Sequence, residues 1–236
     1  MMLALPEAAL GEANVPKPKP RPSPASQPET AAPPETPAQW SAAAVTEAQA
    51  ACRALLEGLD MAAEPLDPIG SPGGCGTPAP VLVSEVAGIT LIPPATLTCD
   101  MAAALHVWVT VSVKPAARKS LKTEVTAINT ATSYACRRRN NSSGGKLSEH
   151  GRANALDMSG FRFASEGKGV AVGGSNWGQG ILAALGVSRN DSFLSAIRQD
   201  ACQHFTTVLG PGSDRYHGDH FHVDVLRRKN DYRICK

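Results

Sequence analysis

The sequence lacks several features that would place it in common functional classes. No run comes close to the roughly 18 apolar residues that a membrane-spanning helix requires. The six cysteines form no CxxC pair, which argues against a thiolate zinc site or a redox motif. The formal net charge is only +2, too small to indicate a nucleic-acid partner. A phosphate-binding glycine loop and a βαβ rhythm are also missing. We therefore expect no transmembrane span, no bound nucleic acid and no doubly wound parallel sheet.

The N-terminus has a short apolar run but no basic segment, so it matches a secretory signal peptide poorly. The run Leu10-Gly11-Glu12-Ala13 before Asn14 nevertheless resembles a cleavage region. We interpret residues 1–13 as the remnant of a signal peptide. The alternative is that the chain is not exported.

Proline dominates the segment that follows. Ten of the nineteen prolines lie within the first 45 residues, and proline-rich segments are extended, solvated spacers. Residues 14–45 are therefore predicted to be a disordered linker. The remaining residues, 46–236, are enough for one domain with a sizeable core.

The six cysteines, at positions 52, 75, 99, 136, 202 and 235, all lie in the predicted domain. An even number without metal-binding spacing indicates disulfides and an oxidising compartment. We therefore predict a periplasmic or extracellular location. Six cysteines allow 15 pairings, and we expect Cys75 to join Cys99 and Cys235 to pin the C-terminus. Six free thiols in a cytosolic protein are the alternative.

Hydrophobic periodicity predicts an α+β domain with a small antiparallel sheet. The proline- and glycine-rich segment 60–80 is predicted to be a loop. Helices are expected over 46–59, 94–113 and 192–205, and strands over 81–83, 89–91, 121–133, 155–163 and 220–226.

Four of the six histidines lie in two short stretches, 148–157 and 217–222. Side chains alternate faces along a strand, so His220 and His222 should point to the same side while Phe221 packs inward. Two imidazoles on one face are a start for a zinc site, and His150 and Asp157 are the best candidates to complete it. Three protein ligands drawn from these four residues would leave a position open for water.

These two stretches carry a resemblance to a known group of enzymes. Ser148-x-His150-x6-Asp157 followed by His220-x-His222 resembles the LAS metallopeptidases, zinc enzymes that include D-Ala-D-Ala carboxypeptidases and peptidoglycan endopeptidases. A longer set of motifs is similar to the extensin-like C-terminal domain family over about residues 46–236. It rests on Ser133-Tyr134-Ala135-Cys136-Arg137, Leu147-Ser148-Glu149-His150, Asn154-Ala155-Leu156-Asp157 and His217-x2-His220-x-His222-Val223-Asp224. One departure is Ala153, where these proteins usually have glycine, so the backbone between the two ligands is expected to differ.

The resemblance implies a role for each candidate residue. His150, Asp157 and His222 match the metal ligands of the family, with Zn²⁺ as the ion. His220 is then the favoured general base or oxyanion partner, His217 the second candidate and Asp219 an alternative base. Arg137 is the candidate clamp for a substrate carboxylate, and Ser148 a residue that supports the site by hydrogen bonding. The alternative for Arg137-Arg138-Arg139 is a solvated turn, and Glu149 is expected to be a solvated surface charge.

The function that follows is zinc-dependent hydrolysis of peptide bonds in peptidoglycan stem peptides or cross-links. The asparagine- and glycine-rich loop 140–145 indicates an open approach, which favours an endopeptidase over a carboxypeptidase. The alternative is a non-catalytic cell-wall-binding or structural module that retains the zinc site.

Overall fold

The computed structural model describes residues 39–164, 169–173 and 188–236. The predicted signal remnant and most of the predicted linker lie outside these ranges. The described part combines helices with a mainly antiparallel sheet, so the predicted α+β class is confirmed. None of the helices in these ranges combines the length and apolar character that a membrane span requires.

The first helix, α1 (Ala42–Leu56), begins earlier than its sequence predicts. Ser41 is the N-cap, and its hydroxyl accepts a hydrogen bond from the Ala44 amide at 3.2 Å. Thr46, the predicted cap, lies inside the helix and donates to the Ala42 carbonyl at 2.9 Å. Serine and threonine are both good caps, so composition alone could not choose between them. Four residues assigned to the linker, 42–45, are therefore helical.

The second helix also begins at a different residue. Pro94 lies in a strand, and α2 (Cys99–Trp108) starts after the N-cap Thr98, whose hydroxyl accepts from the Met101 amide. The chain stays helical through the π-helical segments Val109–Val113 and Ala117–Leu121 and the short α-helical Lys114–Ala116 between them. The third helix, α3 (Arg189–His204), is capped by Ser188 and agrees with its prediction to within three residues.

The strands form one sheet of nine in the described ranges, together with a separate two-stranded ribbon. The order in the sheet is β1-β4-β5-β6-β7-β10-β9-β11, with β8 beside β7; only β5–β6 and β9–β11 pair in parallel. The strands are β1 (Met61–Pro65), β2 (Ile69–Gly70), β3 (Gly76–Thr77), β4 (Pro80–Val86), β5 (Ile89–Thr98), β6 (Val125–Thr132), β7 (Ala155–Phe163), β8 (Gly169–Ala171), β9 (Thr207–Leu209), β10 (Phe221–Asp224) and β11 (Ile234–Cys235).

The segment 60–80 is not the simple loop that its proline and glycine content predicts, because it contains β1, β2 and β3. Two glycines with positive φ make the β2–β3 ribbon possible. A Cβ on Gly70 would lie 1.7 Å from the Cys75 carbonyl oxygen, and one on Gly76 would lie 1.8 Å from the Ile69 carbonyl oxygen. Glycine here permits close strand pairing rather than marking a loop.

The core lies between the sheet and the helices. Trp108 of α2 packs edge-to-face with Phe161 and Phe205, and its indole donates to the Ile197 carbonyl at 2.9 Å. Strand β7 contributes Leu156 and Met158 and then Phe161 to this core. The inward-facing positions change from even-numbered to odd-numbered residues at Ser159, the extra residue where the β6–β7 register shifts. This bulge lets the middle of β7 pack inward while Asp157 faces the other side.

All six cysteines lie in the described part and all are paired. The prediction of full pairing is therefore confirmed, but the predicted Cys75–Cys99 bridge is wrong. Cys99 instead joins α1 to the start of α2, and Cys75 reaches the segment before the candidate site. Cys235 pins the C-terminal strand to α3, as expected. The bridges are Cys52–Cys99, Cys75–Cys136 and Cys202–Cys235.

Candidate metal centre

Two neighbouring strands and one turn build the candidate site. Strands β7 and β10 pair antiparallel, and His222 lies directly opposite Asp157 in the register. On β10, Phe221 and Val223 enter the core, so alternation turns His222 to the other face. His150 comes from the short 3₁₀ turn Glu149–Arg152 that precedes β7.

Three donor atoms converge at this point. The distances are 3.1 Å from His150 Nε2 to Asp157 Oδ1, 3.2 Å from His150 Nε2 to His222 Nδ1, and 2.9 Å from His222 Nδ1 to Asp157 Oδ1. All three residues are buried. A tetrahedral ion with bonds of about 2.0–2.1 Å keeps its ligands about 3.3 Å apart. The group can therefore hold one metal ion.

Each histidine is oriented by a hydrogen bond from its second ring nitrogen. His150 Nδ1 donates to the Ser133 carbonyl at 2.7 Å, and His222 Nε2 donates to Asp224 Oδ2 at 3.4 Å. Such partners fix the tautomer of a metal-binding histidine and aim the other nitrogen at the ion. When both rings are neutral, two lone pairs and a carboxylate oxygen face one another, an arrangement that a cation between them stabilises. The donor set fits a metal on this ground.

The charges at the site reinforce one another. Burial opposes ionisation of Asp157, but hydrogen bonds from His150 and His222 outweigh it and hold the Asp157 pKa well below its usual range. Burial also opposes the charge of His222, whereas hydrogen bonds to Asp157 and Asp224 raise its pKa to about 9. The carboxylates thus favour positive charge at this position, whether a proton or a metal supplies it.

Two further histidines lie beside the triad. His220 Nε2 is 3.8 Å from Asp157 Oδ1, and its Nδ1 donates to Asp219 Oδ1 at 2.8 Å. His217 Nδ1 donates to Asp214 Oδ1 at 2.7 Å, and its ring lies 5.2 Å from the ring of His220 between centroids. A carboxylate on Nδ1 leaves Nε2 of each ring available for proton transfer. His220 and His222 thus both lie within 4 Å of the same carboxylate oxygen of Asp157.

The site opens into a cleft of about 470 Å³. Its lining comes from Thr132, Arg137, Arg139, Asn140, Ser148, Glu149, His150, Asp157, Thr207, Leu209, Asp214, Tyr216, His217, His220, His222, Asp224, Arg228 and Ile234. The cleft thus brings together seven of the eight sequence-predicted site residues. Asp219 stays at the edge, with its side chain 88% exposed and its carboxylate against His220.

Comparison with known families bears on the same residues. The family model described as "Extensin-like protein C-terminus" matches residues 50–236. The chain belongs to this extensin-like family. No curated protein and no solved structure matches it.

The matched segment of this extensin-like chain contains the triad and both flanking histidines. The family description names neither a metal nor a reaction.

Ala153 stands at the position where the resemblance predicts glycine. The residue has φ +56°, in the left-handed region that favours glycine, and is fully buried. Its amide donates to the His150 carbonyl at 3.1 Å. Alanine in this extensin-like chain therefore occupies a conformation that glycine adopts more readily.

Glu149 is not the surface charge that its neighbours in sequence predict. Its side chain is only 2% exposed, and it accepts hydrogen bonds from Arg152 Nη1 at 3.0 Å and Asn154 Nδ2 at 3.3 Å. Asn154 also binds the hydroxyl of Thr98, the cap of α2, at 2.8 Å. This network ties the His150 turn to the start of a helix, and it is what makes burial of the carboxylate tolerable.

Ser148 supports the turn through its backbone rather than its side chain. Its amide donates to the Arg137 carbonyl at 3.1 Å, while its hydroxyl makes no hydrogen bond within the described ranges.

Sequence reasoning also missed Asp214 and Asp224, the partners of two site histidines. The signal for both was spacing, since Asp214 precedes His217 by three residues and Asp224 follows His222 by two.

Proposed function

We propose that this chain is a zinc-dependent peptidase that hydrolyses peptide bonds in peptidoglycan. The observation that carries the proposal is the buried group of His150, Asp157 and His222 at the floor of an open cleft. Structural zinc sites usually have four ligands and are rich in cysteine. Here all six cysteines are in disulfides, and the donor set has three members.

His150, Asp157 and His222 would hold the ion, and this mixture of imidazole and carboxylate suits zinc. When bound, zinc supplies a Lewis acid and lowers the pKa of a coordinated water to about 7. The chain's own residues then have to move protons, stabilise charge and position the substrate.

His220 is the proposed proton carrier or oxyanion partner. His220 lines the cleft with its Nε2 3.8 Å from Asp157 Oδ1, and Asp219 orients the ring by accepting a hydrogen bond from Nδ1. His217, held by Asp214, is the second candidate for the same task. Asp219 remains the alternative base, although its contact with His220 favours a supporting role.

Arg137 is the proposed clamp for a substrate carboxylate. Its guanidinium lines the cleft and makes no hydrogen bond or ion pair with any described residue. A planar guanidinium binds a carboxylate through two parallel hydrogen bonds. The similarity of the two histidine stretches to LAS metallopeptidases directs the proposal to peptidoglycan peptides, and the three disulfides are compatible with a periplasmic or extracellular location.

The test is product analysis by mass after the zinc-loaded chain is incubated with purified peptidoglycan and with monomeric muropeptides. Loss of cross-linked dimers would identify an endopeptidase, which the open loop favours, and loss of one terminal alanine a carboxypeptidase. His220→Ala should keep its zinc and lose about 10²- to 10⁴-fold in rate. No turnover of either substrate by the zinc-loaded wild type would instead favour the non-catalytic wall-binding module.

A further inference from the structure

The basic residues of this chain are concentrated beside the candidate metal centre. Residues 137–152 contain five basic residues and one acidic residue, Glu149. This segment therefore carries a formal charge of +4, while the whole chain carries +2. The rest of the chain must carry −2, so the positive charge is local.

Within the cleft, the acidic side chains already have partners. Among the described residues, its four acidic lining residues each have a partner: Glu149 has Arg152, Asp157 and Asp224 have His222, and Asp214 has His217. The guanidinium of Arg228 is also occupied, because it donates to the Thr206 carbonyl and the Thr207 hydroxyl.

Two guanidinium groups of the cleft lining have no hydrogen-bond partner among the described residues. The guanidinium of Arg137 has no hydrogen-bond or ion-pair partner in the described ranges. Arg139 makes one contact, 3.6 Å from its Nη2 to Glu149 Oε1, which is longer than a hydrogen bond. Because Arg152 binds the same oxygen at 3.0 Å, the charge of Arg139 is surplus. Each guanidinium offers five N–H donors.

Backbone geometry explains why these two arginines share the cleft. Arg138 between them is extended, with φ −78° and ψ 158°, and forms an antiparallel bridge with Leu147, so the Cα atoms of Arg137 and Arg139 lie about 6–7 Å apart and both residues face one side. Arg138 projects elsewhere and donates to the Gly145 carbonyl at 2.6 Å. It does not line the cleft.

We propose that Arg137 and Arg139 form a pair of subsites for two carboxylates, and that the ligand of the cleft is an acidic peptide with carboxylates about 6–7 Å apart. Side chains at positions i and i+2 of an extended peptide have this spacing. The inference rests on the proposed function only in taking the ligand to be a peptide. It adds that the ligand is recognised by two anionic groups rather than by one terminal carboxylate.

The test is an NMR titration of the zinc-loaded chain at about 0.15 M salt, where long-range charge effects are screened. The probes are acetyl-Glu-Ala-Glu-amide, acetyl-Glu-Ala-Gln-amide and acetyl-Gln-Ala-Gln-amide, each with L and with D residues. We expect affinity to fall in this order, by about tenfold for each carboxylate lost. Arg139→Gln should weaken the diacid about tenfold and bring it to the level of the monoacid.

The matched control is Arg138→Gln, which removes the same charge from the adjacent position but should change affinity by less than about twofold. Equal losses from Arg138→Gln and Arg139→Gln, or equal binding of the Glu and Gln peptides, would overturn the proposal. Tighter, Arg139-dependent binding of tripolyphosphate would do the same, because the ligand would then be a phosphate. Diacid binding without any cleavage of peptidoglycan would remove the proposed reaction and leave these subsites standing.

Discussion

At the scale of single residues, the site depends on partners that lie far from it in sequence. The types and order of its histidines and Asp157 were predictable, because few residue types bind metals and strand alternation sets their direction. Glu149 was not predictable. A glutamate between a serine and a histidine is usually solvated, and only the tertiary approach of Arg152 and Asn154 makes its burial favourable.

The left-handed conformation of Ala153 gives a prediction about stability. Ala153→Gly relieves backbone strain of about 1–2 kcal/mol, which offsets the greater flexibility of glycine in the unfolded chain and the lost methyl contacts. We expect the free energy of unfolding to stay within about 1 kcal/mol of wild type. Ala153→Val should lower it by about 2–4 kcal/mol, because a branched side chain is both strained and overpacked there. Urea denaturation measures both values.

Ala155 is the matched control for this pair of variants. It is also fully buried but lies in β7 without a positive φ. Ala155→Gly removes a buried methyl with no relief of strain, so it should cost about 1–2 kcal/mol more than Ala153→Gly. Equal costs at the two positions would contradict the role given to the left-handed turn.

At the scale of elements, the sequence predicted a wrong start for α2, because the start depends on helix capping and strand pairing. The start of α2 was assigned to Pro94, a favoured first-turn residue, but the cap is Thr98. Pro93 and Pro94 instead lie in strand β5, where its pairing with β4 is interrupted between Thr90 and Ala95, a position that proline tolerates. Strand β7 was predicted over the residues that it occupies.

The Cys75–Cys136 disulfide belongs to the metal centre as well as to the fold. Cys136 precedes Arg137 in a segment whose ends bind the His150 turn: the Ala135 amide donates to the His150 carbonyl and the Ser148 amide to the Arg137 carbonyl, both at 3.1 Å. We therefore expect Cys75→Ser/Cys136→Ser to weaken zinc binding about tenfold, the size of effect seen when the support of a ligand is lost. A competition titration with a chromophoric chelator measures this.

Removing the Cys202–Cys235 bridge provides the comparison. Either double substitution should lower the free energy of unfolding by about 2–4 kcal/mol. Only the first should change zinc affinity by more than about threefold, since Cys202–Cys235 ties α3 to the edge strand β11, which pairs with β9 and not with a ligand-bearing strand. The same loss of zinc affinity in both variants would show that general loosening, not local bracing, is responsible.

At the scale of the whole molecule, the sequence predicted the fold class but not the connections that assemble the site. Asp157 and His222 meet because β10 pairs antiparallel with β7. This pairing joins residues 65 positions apart, and local periodicity does not encode it. The disulfides show the same limit, since six cysteines allow 15 pairings. The order of the two histidine stretches indicated which residues should meet, and the pairing of β7 with β10 brings them into contact.

The central claim is that His150, Asp157 and His222 form one zinc site, and zinc titration of the folded chain tests it most directly. We predict one equivalent of zinc for the wild type and a loss of more than about 100-fold in affinity for Asp157→Ala or His222→Ala, since loss of a ligand should exceed loss of its support. His106→Ala, which changes a histidine of α2 outside the cleft, should bind like the wild type. Less than about half an equivalent in the wild type, or equal binding by His222→Ala and His106→Ala, would contradict the account.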